Sequence, residues 1–96
     1  MLSSSEPLEE TLCSRVRLRI LKLLMEAQTL TTAQIGQKVG VNYVVTRAHL
    51  KALENGDILT HVNFGRRIRY YRFKESVRAN AIKRLIEAWQ NPDNHA

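Results

Sequence analysis

The side chains of this chain that are best suited to binding chemistry are its basic residues, which concentrate in two stretches. Four lie in residues 14–27, and four arginines lie in residues 58–73, where there is no acidic residue. A guanidinium group binds phosphate oxygens, or the two acceptors of a guanine edge, through parallel hydrogen bonds. With a formal charge of +6 and a pI near 10.0, the chain is predicted to bind a polyanion, either nucleic acid or an anionic membrane surface.

The other reactive side chains do not indicate catalysis or metal binding. There is no phosphate-binding loop and no pair of carboxylates at catalytic spacing, and the three histidines and one cysteine lack metal-ligand spacing. We therefore expect no enzymatic activity, no metal and no cofactor. Cys13 is interpreted as a small buried hydrophobic residue on a helix.

Length and hydropathy narrow the class of protein. A chain of 96 residues predicts a single domain over residues 1–96. No apolar run approaches the roughly 18–20 residues that would span a membrane, and the polar, acidic first ten residues resemble neither a signal nor a transit peptide. We expect a cytoplasmic protein whose partner is nucleic acid rather than a membrane.

Residues 31–39 predict a short helix that ends in a tight turn. Thr31 and Gln34 have the spacing of a capping box, in which each side chain bonds the backbone amide of the other residue. Gly40 follows, and glycine readily adopts the left-handed conformation that ends many helices.

Residues 42–55 predict a longer second helix, with Asn42 as its N-cap. Its inward positions share a helical spacing and are Thr46, Leu50 and Leu53. With these in the core, helical geometry turns Tyr43, Val44 and Arg47 outward. Two helices joined in this way describe a helix-turn-helix, whose second helix enters the DNA major groove, although an ordinary helical hairpin with a solvated outer face has the same pattern.

Further helices are predicted on both sides of this pair. A short one covers about residues 6–13, and residues 14–27 form one whose apolar positions lie on several sides, so that it is central to the core or contacts a partner chain. We expect its basic side chains to be mostly solvated. Residues 74–90 predict a last helix with a wide apolar stripe, and residues 91–96 a disordered tail.

Residues 58–73 predict a β-hairpin, because β-branched and aromatic residues flank a turn at Gly65. Tyr71 and Phe73 share the face that should pack on the helices. Arginines lie at the tip and along the return strand. The hairpin has the form of a wing, although a charged edge strand that resists aggregation would have similar composition.

The order of these elements predicts an α+β, mainly α, winged helix-turn-helix domain with a two-stranded wing and a C-terminal dimerisation helix. Residues 8–73 resemble the ArsR-type and related MarR-type winged-helix transcriptional regulators. The segments that carry the resemblance are SRVRLRIL (residues 14–21, against the family's (D/N)PTRLRIL), HLKALE (49–54, against HLKxLE), NGDI (55–58, against xxGLI), and GRR (65–67) with Tyr70 and Tyr71.

This resemblance implies a homodimer on a pseudo-palindromic duplex, formed through the first and last helices. The apolar width of those helices leads us to predict dimer contacts from Leu18, Leu21, Ile82, Leu85, Ile86 and Trp89. The chain departs from the metal-sensing members, because it lacks a CxC-like pair and the Asp/His spacing in its final helix. We expect no metal sensing, and the sequence identifies no effector ligand.

The DNA contacts are predicted residue by residue. Tyr43, Val44 and Arg47 are expected at base edges, with helix 42–55 in the major groove. Residues 63–68 of the wing should reach the minor groove. The expected phosphate contacts are Thr31, Thr32, Asn42 and Lys51, and the wing contacts are Arg66, Arg67 and Arg69. Bound protein would associate with the nucleoid. Two alternatives remain, an architectural protein without sequence specificity and a winged-helix module that docks on protein.

Overall fold

The computed structural model describes residues 8–95, which form five α-helices around a small antiparallel sheet. The helices are α1 (Leu8–Leu12), α2 (Arg15–Ala27), α3 (Thr32–Val39), α4 (Tyr43–Asn55) and α5 (Val77–Gln90). The strands are β1 (Leu30–Thr31), β2 (Leu59–Phe64) and β3 (Ile68–Phe73). This is the predicted winged helix-turn-helix fold, with helix-turn-helix α3–α4 and wing β2–β3.

Serine caps set the starts of the two long outer helices. The Ser14 hydroxyl accepts from the amide of Arg17 at 3.2 Å, and the Ser76 hydroxyl accepts from that of Ala79 at 3.0 Å. The second cap places the start of α5 after Ser76, not at residue 74 as predicted. Lys74 still belongs to the sheet side of the connection, because its amide donates to the Ile58 carbonyl at 2.9 Å.

The sheet has one strand more than the sequence predicts. Its order is β1-β3-β2, and the predicted hairpin pairs from Leu59↔Phe73 to Phe64↔Ile68. The additional strand is β1, two residues long, which pairs with Tyr70 and Tyr71 on the other side of β3. It ties the start of α3 to the middle of β3.

The core lies between the sheet, α2, α4 and α5. Tyr71 and Phe73 are buried against the helices, as predicted. Leu21 is fully buried in the same core, so its prediction as a dimer contact is wrong. The buried apolar residues are Ile20, Leu21, Leu24, Leu30, Ile35, Leu50, Leu53, Ile58, Leu59, Tyr71, Phe73, Ala79, Ile82 and Ile86.

The ends of the chain differ from the sequence prediction. The predicted disordered tail contains a short 3-10 helix, Pro92–His95, which proline can open because its φ is already suited to a helical turn. At the other end, α1 covers Leu8–Leu12, while residues 6 and 7 of the predicted helix, like residue 96, lie outside the described residues. Cys13 is exposed, so its prediction as a buried residue is wrong, because it lies in the connection after α1. No helix in residues 8–95 is long and apolar enough to cross a membrane.

Candidate nucleic-acid interface

The helix-turn-helix is held by the predicted caps. The Thr31 hydroxyl accepts from the Gln34 amide at 3.1 Å, and the Gln34 side chain accepts from the Thr31 amide at 2.9 Å, which completes the capping box. Gly40 ends α3 in the left-handed region. The Asn42 side chain then accepts from the Val45 amide at 2.9 Å and starts α4. Local sequence therefore fixes where both helices begin.

The outer face of α4 carries the predicted base-reading residues. Val44 is 75% exposed and Tyr43 50%, while Arg47 is half-buried on the same flank. The sequence prediction missed Ala48, which is exposed one turn after Val44 and which the i, i+4 spacing from Val44 would have found. We define these four residues as the outer face of α4.

The predicted phosphate contacts divide into accessible and inaccessible side chains. Asn42 and Lys51 are exposed at the start and toward the end of α4, and Thr31 is half-buried. Thr32 is only 4% exposed, and its hydroxyl has no hydrogen-bond partner among the described residues. The prediction for Thr32 is therefore wrong: Thr31 takes the N-cap, which turns the next side chain inward.

The wing presents its arginines in two directions. Arg66 and Arg67 are exposed in the turn between β2 and β3. Arg69 instead lies on the face toward α4, where its guanidinium donates to the Tyr71 hydroxyl at 3.4 Å. This hydrogen bond, followed by the charge interactions with Tyr71 and then Glu54, raises the pKa of Arg69. The tip arginines are thus available to a partner, whereas Arg69, which pairs with Asn63 next to the turn, is engaged with Tyr71 on the helix-facing side of the wing.

A side-chain contact joins the wing to α4. The Glu54 carboxylate on α4 contacts Nδ1 of His61 on β2, and both side chains are largely shielded from solvent. The His61 ring also packs on Tyr71, with 5.2 Å between ring centroids. These contacts set the position of the wing relative to the outer face of α4.

Arg17 was expected to be solvated, but it joins three helices. Its Nη1 donates to the carbonyls of Glu10 and Thr11 at the end of α1, at 2.5 and 3.2 Å. Its Nε donates to Nδ1 of His49 on α4 at 3.1 Å. A neutral imidazole can accept this bond at Nδ1, whereas a protonated one cannot. Burial, and then the charge of Arg17, lower the pKa of His49.

This arrangement predicts a pH-dependent contribution of His49 to stability. The unfolded histidine takes up a proton as the pH falls through its ordinary value of 6.5, while the folded one resists. The contribution is therefore complete above pH 6.5 and is lost as the pH falls toward the lower folded pKa. His49→Gln should cost about 1 kcal/mol at pH 7.5 by weakening the bond from Arg17, and the difference from wild type should shrink in acid.

Urea titrations of both proteins between pH 7.5 and 5 measure this difference. All other side chains are the same in the two proteins, so their contributions cancel in the difference. A difference that stays constant over this range would contradict the assignment to His49.

A second exposed surface is apolar and lies on α5. Trp89 is 83% exposed, and Leu85 and Val77 are also exposed. Ile82 and Ile86, predicted as dimer contacts, face the core instead and offer little surface. Leu18 on α2 remains exposed. The surface available to a partner therefore comes from one flank of α5 and not from its central stripe.

Residues 8–95 contain no group of three or more histidine, cysteine or acidic side chains that could hold a metal ion. The side chains exposed on the outer face of α4 and on the wing supply hydrogen-bond donors, positive charge and apolar contact. These are the groups that DNA-binding domains direct at phosphates and base edges.

The fold and this site define the class of the protein. Residues 14–60 match the family model described as winged helix-turn-helix DNA-binding. The chain thus contains a winged helix-turn-helix DNA-binding domain. A comparison with curated proteins finds no match.

Several solved structures are similar to this chain in fold. A possible transcriptional regulatory protein from Mycobacterium bovis (fragment 1–100) is 27% identical, with a TM-score of 0.68 and 84% of each chain covered. The solution structure of the same fragment, described as the homodimeric winged helix-turn-helix DNA-binding domain of a possible ArsR-family transcriptional regulator, aligns at 24% identity, with a TM-score of 0.71 over 91% of this chain and 79% of that one. The transcriptional regulator HlyU from Vibrio vulnificus is 23% identical, with a TM-score of 0.71 over 85% and 82%.

Proposed function

We propose that this protein is a transcriptional regulator that binds a pseudo-palindromic duplex as a homodimer, with α4 in the major groove and the wing at the minor groove. The observation that carries the proposal is the position of two surfaces on one folded domain. The outer face of α4 and the arginine-bearing wing are joined through the Glu54–His61 pair, so that both can contact one duplex together.

Base recognition is assigned to the outer face of α4. Arg47 supplies the forked donor that matches O6 and N7 of guanine, and Val44 supplies an apolar contact for a thymine methyl. Ala48 adds a second small apolar contact, and Tyr43 has a donor hydroxyl on a large ring. With one forked donor among four side chains, we expect modest sequence specificity from direct contacts.

Phosphate contacts would fix the register of the helix. Asn42 caps α4, and Lys51 lies about two turns further along that helix. Thr31 caps α3, and the free backbone amides at the N-terminus of a helix favour an anion. At the wing, Arg66 and Arg67 suit a narrow A·T-rich minor groove, where the negative potential is strongest. Arg69 would act from the helix-facing side of the wing, one residue into β3 from the turn.

Dimerisation is supported by the exposed apolar flank of α5. Leu85 and Trp89 resemble the aromatic and apolar anchors of protein interfaces. A relative of the same fold is homodimeric. A twofold axis through this surface would present two copies of α4 to a pseudo-palindromic site.

The test is binding of the protein to a duplex selected from a random pool, compared with a random-sequence duplex at several salt concentrations. The proposal predicts that the selected duplex has two half-sites and binds about 10³-fold or more tighter than random DNA. A ratio near one would indicate an architectural protein. No binding to any duplex at low salt would indicate a protein-docking module.

Arginine variants separate the two contact types in the same assay. Arg47→Ala should cost about 1–3 kcal/mol on the selected duplex and little on random DNA, since it removes a base contact. Arg66→Ala/Arg67→Ala should weaken both duplexes and reduce the log–log salt slope by about two, because it removes two phosphate-neutralising charges. Arg84→Ala on α5 is the control for loss of charge. A double wing variant with an unchanged slope would contradict the wing assignment.

A further inference from the structure

The outer surface of the wing is apolar in a way that the proposed function does not use. Val62, Phe64 and Ile68 lie on the side of β2 and β3 opposite to His61 and Tyr71, and all three are exposed. Phe64 is the most exposed of the three, at 67%. An uncovered apolar face on an edge strand is an aggregation hazard, so a partner for it is expected.

Phe64 also occupies a special position along the wing. It is the last residue of β2, and its partner Ile68 is the first residue of β3. The turn between them carries Arg66 and Arg67. The ring of Tyr70 meets that of Phe64 edge-on, with 6.1 Å between centroids and an angle of 86°, so the Phe64 ring is supported from behind at the tip.

The charge around this apolar surface selects its occupant. Arg66 and Arg67 lie at one end of it and Arg72, also exposed, at the other, and residues 58–73 contain no carboxylate. An acidic protein surface would complement the arginines but not the apolar residues, and a neutral apolar one would complement the apolar residues but not the arginines. The DNA minor groove presents both parts, phosphates along its rims and the stacked edges of bases between them.

We propose that Phe64 is an apolar wedge that enters the minor groove beneath the wing and partly unstacks one base step, so that the protein selects flexible DNA. This inference rests on the proposed function. Phenylalanine is among the residues that act as such wedges, and the kink widens the groove for the neighbouring side chains. A phenyl group buries about 150–250 Å² of surface when it leaves water, which offsets the loss of stacking.

The wedge and the arginines predict opposite preferences among A·T-rich sites. A narrow A-tract is stiff and favours arginine alone, whereas TA steps open easily and favour insertion. The experiment uses two duplexes that differ only beneath the wing, one with TA steps and one with an A-tract of the same composition. 2-Aminopurine at the central step reports unstacking by its fluorescence.

Wild-type protein should bind the TA duplex about tenfold tighter than the A-tract duplex, within the cost of a single changed base pair, and should raise the 2-aminopurine fluorescence. Phe64→Ala should lose both the preference and the fluorescence change while keeping the salt slope, because no charge is removed. Phe64→Leu should retain part of each. Val62→Ala, on the same surface but farther from the tip, is the matched control and should behave as wild type.

The outcomes distinguish this inference from the proposed function. If Phe64→Ala keeps the TA preference and the fluorescence change, or if wild type prefers the A-tract, the wedge is overturned while DNA binding stands. If wild type binds neither duplex, both fail. If Phe64→Ala alters only the oligomeric mass measured by light scattering, the surface contacts a second copy and the wedge is again overturned.

Discussion

Gly36→Ala is expected to lower the free energy of unfolding by about 2 kcal/mol, as overpacking of a closed site does. A Cβ at Gly36 would lie 2.6 Å from Oγ1 of Thr46 and 3.0 Å from the carbonyl oxygen of Val41. Thr46 is fully buried on α4, and its hydroxyl donates to the Asn42 carbonyl at 2.8 Å. Its β-branched side chain has few rotamers in a helix, so it cannot move aside without losing that bond.

The expected loss of stability on Gly36→Ala is opposite in sign to the usual effect of replacing glycine by alanine in a helix. Alanine in a helix interior is normally more stable than glycine by up to about 1 kcal/mol, so a loss measures the close approach of α3 to α4. Because this contact sets the angle at which α4 leaves the turn, affinity for the selected duplex should fall as well.

Gly40→Ala is the contrasting variant. Gly40 has a φ of +80°, and a Cβ there would have nothing within 4 Å. Its cost is about 1 kcal/mol, from the left-handed conformation alone. Adding Thr46→Ala to Gly36→Ala should relieve part of the overpacking, although the Val41 carbonyl remains. Thermal and urea unfolding measure each variant, and a neutral Gly36→Ala would contradict this account of the helix-turn-helix.

The elements that could be predicted from the sequence are those fixed by local interactions. The capping box at Thr31 and the cap at Asn42 act within three residues, so type and spacing were sufficient to place α3 and α4. The alternation in residues 58–73 was likewise sufficient for β2 and β3. The prediction of α5 from residue 74 was too early because it did not use Ser76 as a cap.

The features that the sequence could not reveal depend on distant residues. β1 is two residues long and exists because Leu30 and Thr31 pair with β3. Arg17 has the local pattern of a solvated side chain, and its bond to His49 spans 32 positions. Because these contacts join residues that are far apart in the chain, the sequence alone could predict neither the strand β1 nor the partner of Arg17.

The same limit applies to the apolar sides of α2 and α5. When the apolar face of a helix is wide, the sequence does not indicate which of its apolar residues are buried in the core and which remain at the surface. The fold buries Leu21, Ile82 and Ile86 and leaves Leu18, Leu85 and Trp89 at the surface. The predicted base-reading residues of α4 were easier to place, since buried Thr46, Leu50 and Leu53 fix the opposite face.

The proposed dimer gives the other large expected effect. Trp89→Glu should raise the dimer dissociation constant by about 10²-fold or more, the range for an interface anchor. In a twofold interface each substitution acts twice, and two new carboxylates would replace two buried rings. Light scattering at micromolar concentration should then report the 11.1 kDa monomer. Affinity for the two-half-site duplex should fall by about 10²-fold or more, because the half-sites no longer bind as one unit.

This substitution separates association from folding. Because Trp89 is 83% exposed in the single chain, its loss removes little from the monomer core, and unfolding at low protein concentration should be nearly unchanged. Asn80→Glu introduces the same charge on the opposite flank of α5 and should leave both mass and affinity as in wild type. A Trp89→Glu protein that keeps the dimer mass would exclude this flank of α5 as the interface. One that becomes monomeric yet keeps its full affinity would show that each copy binds its half-site independently.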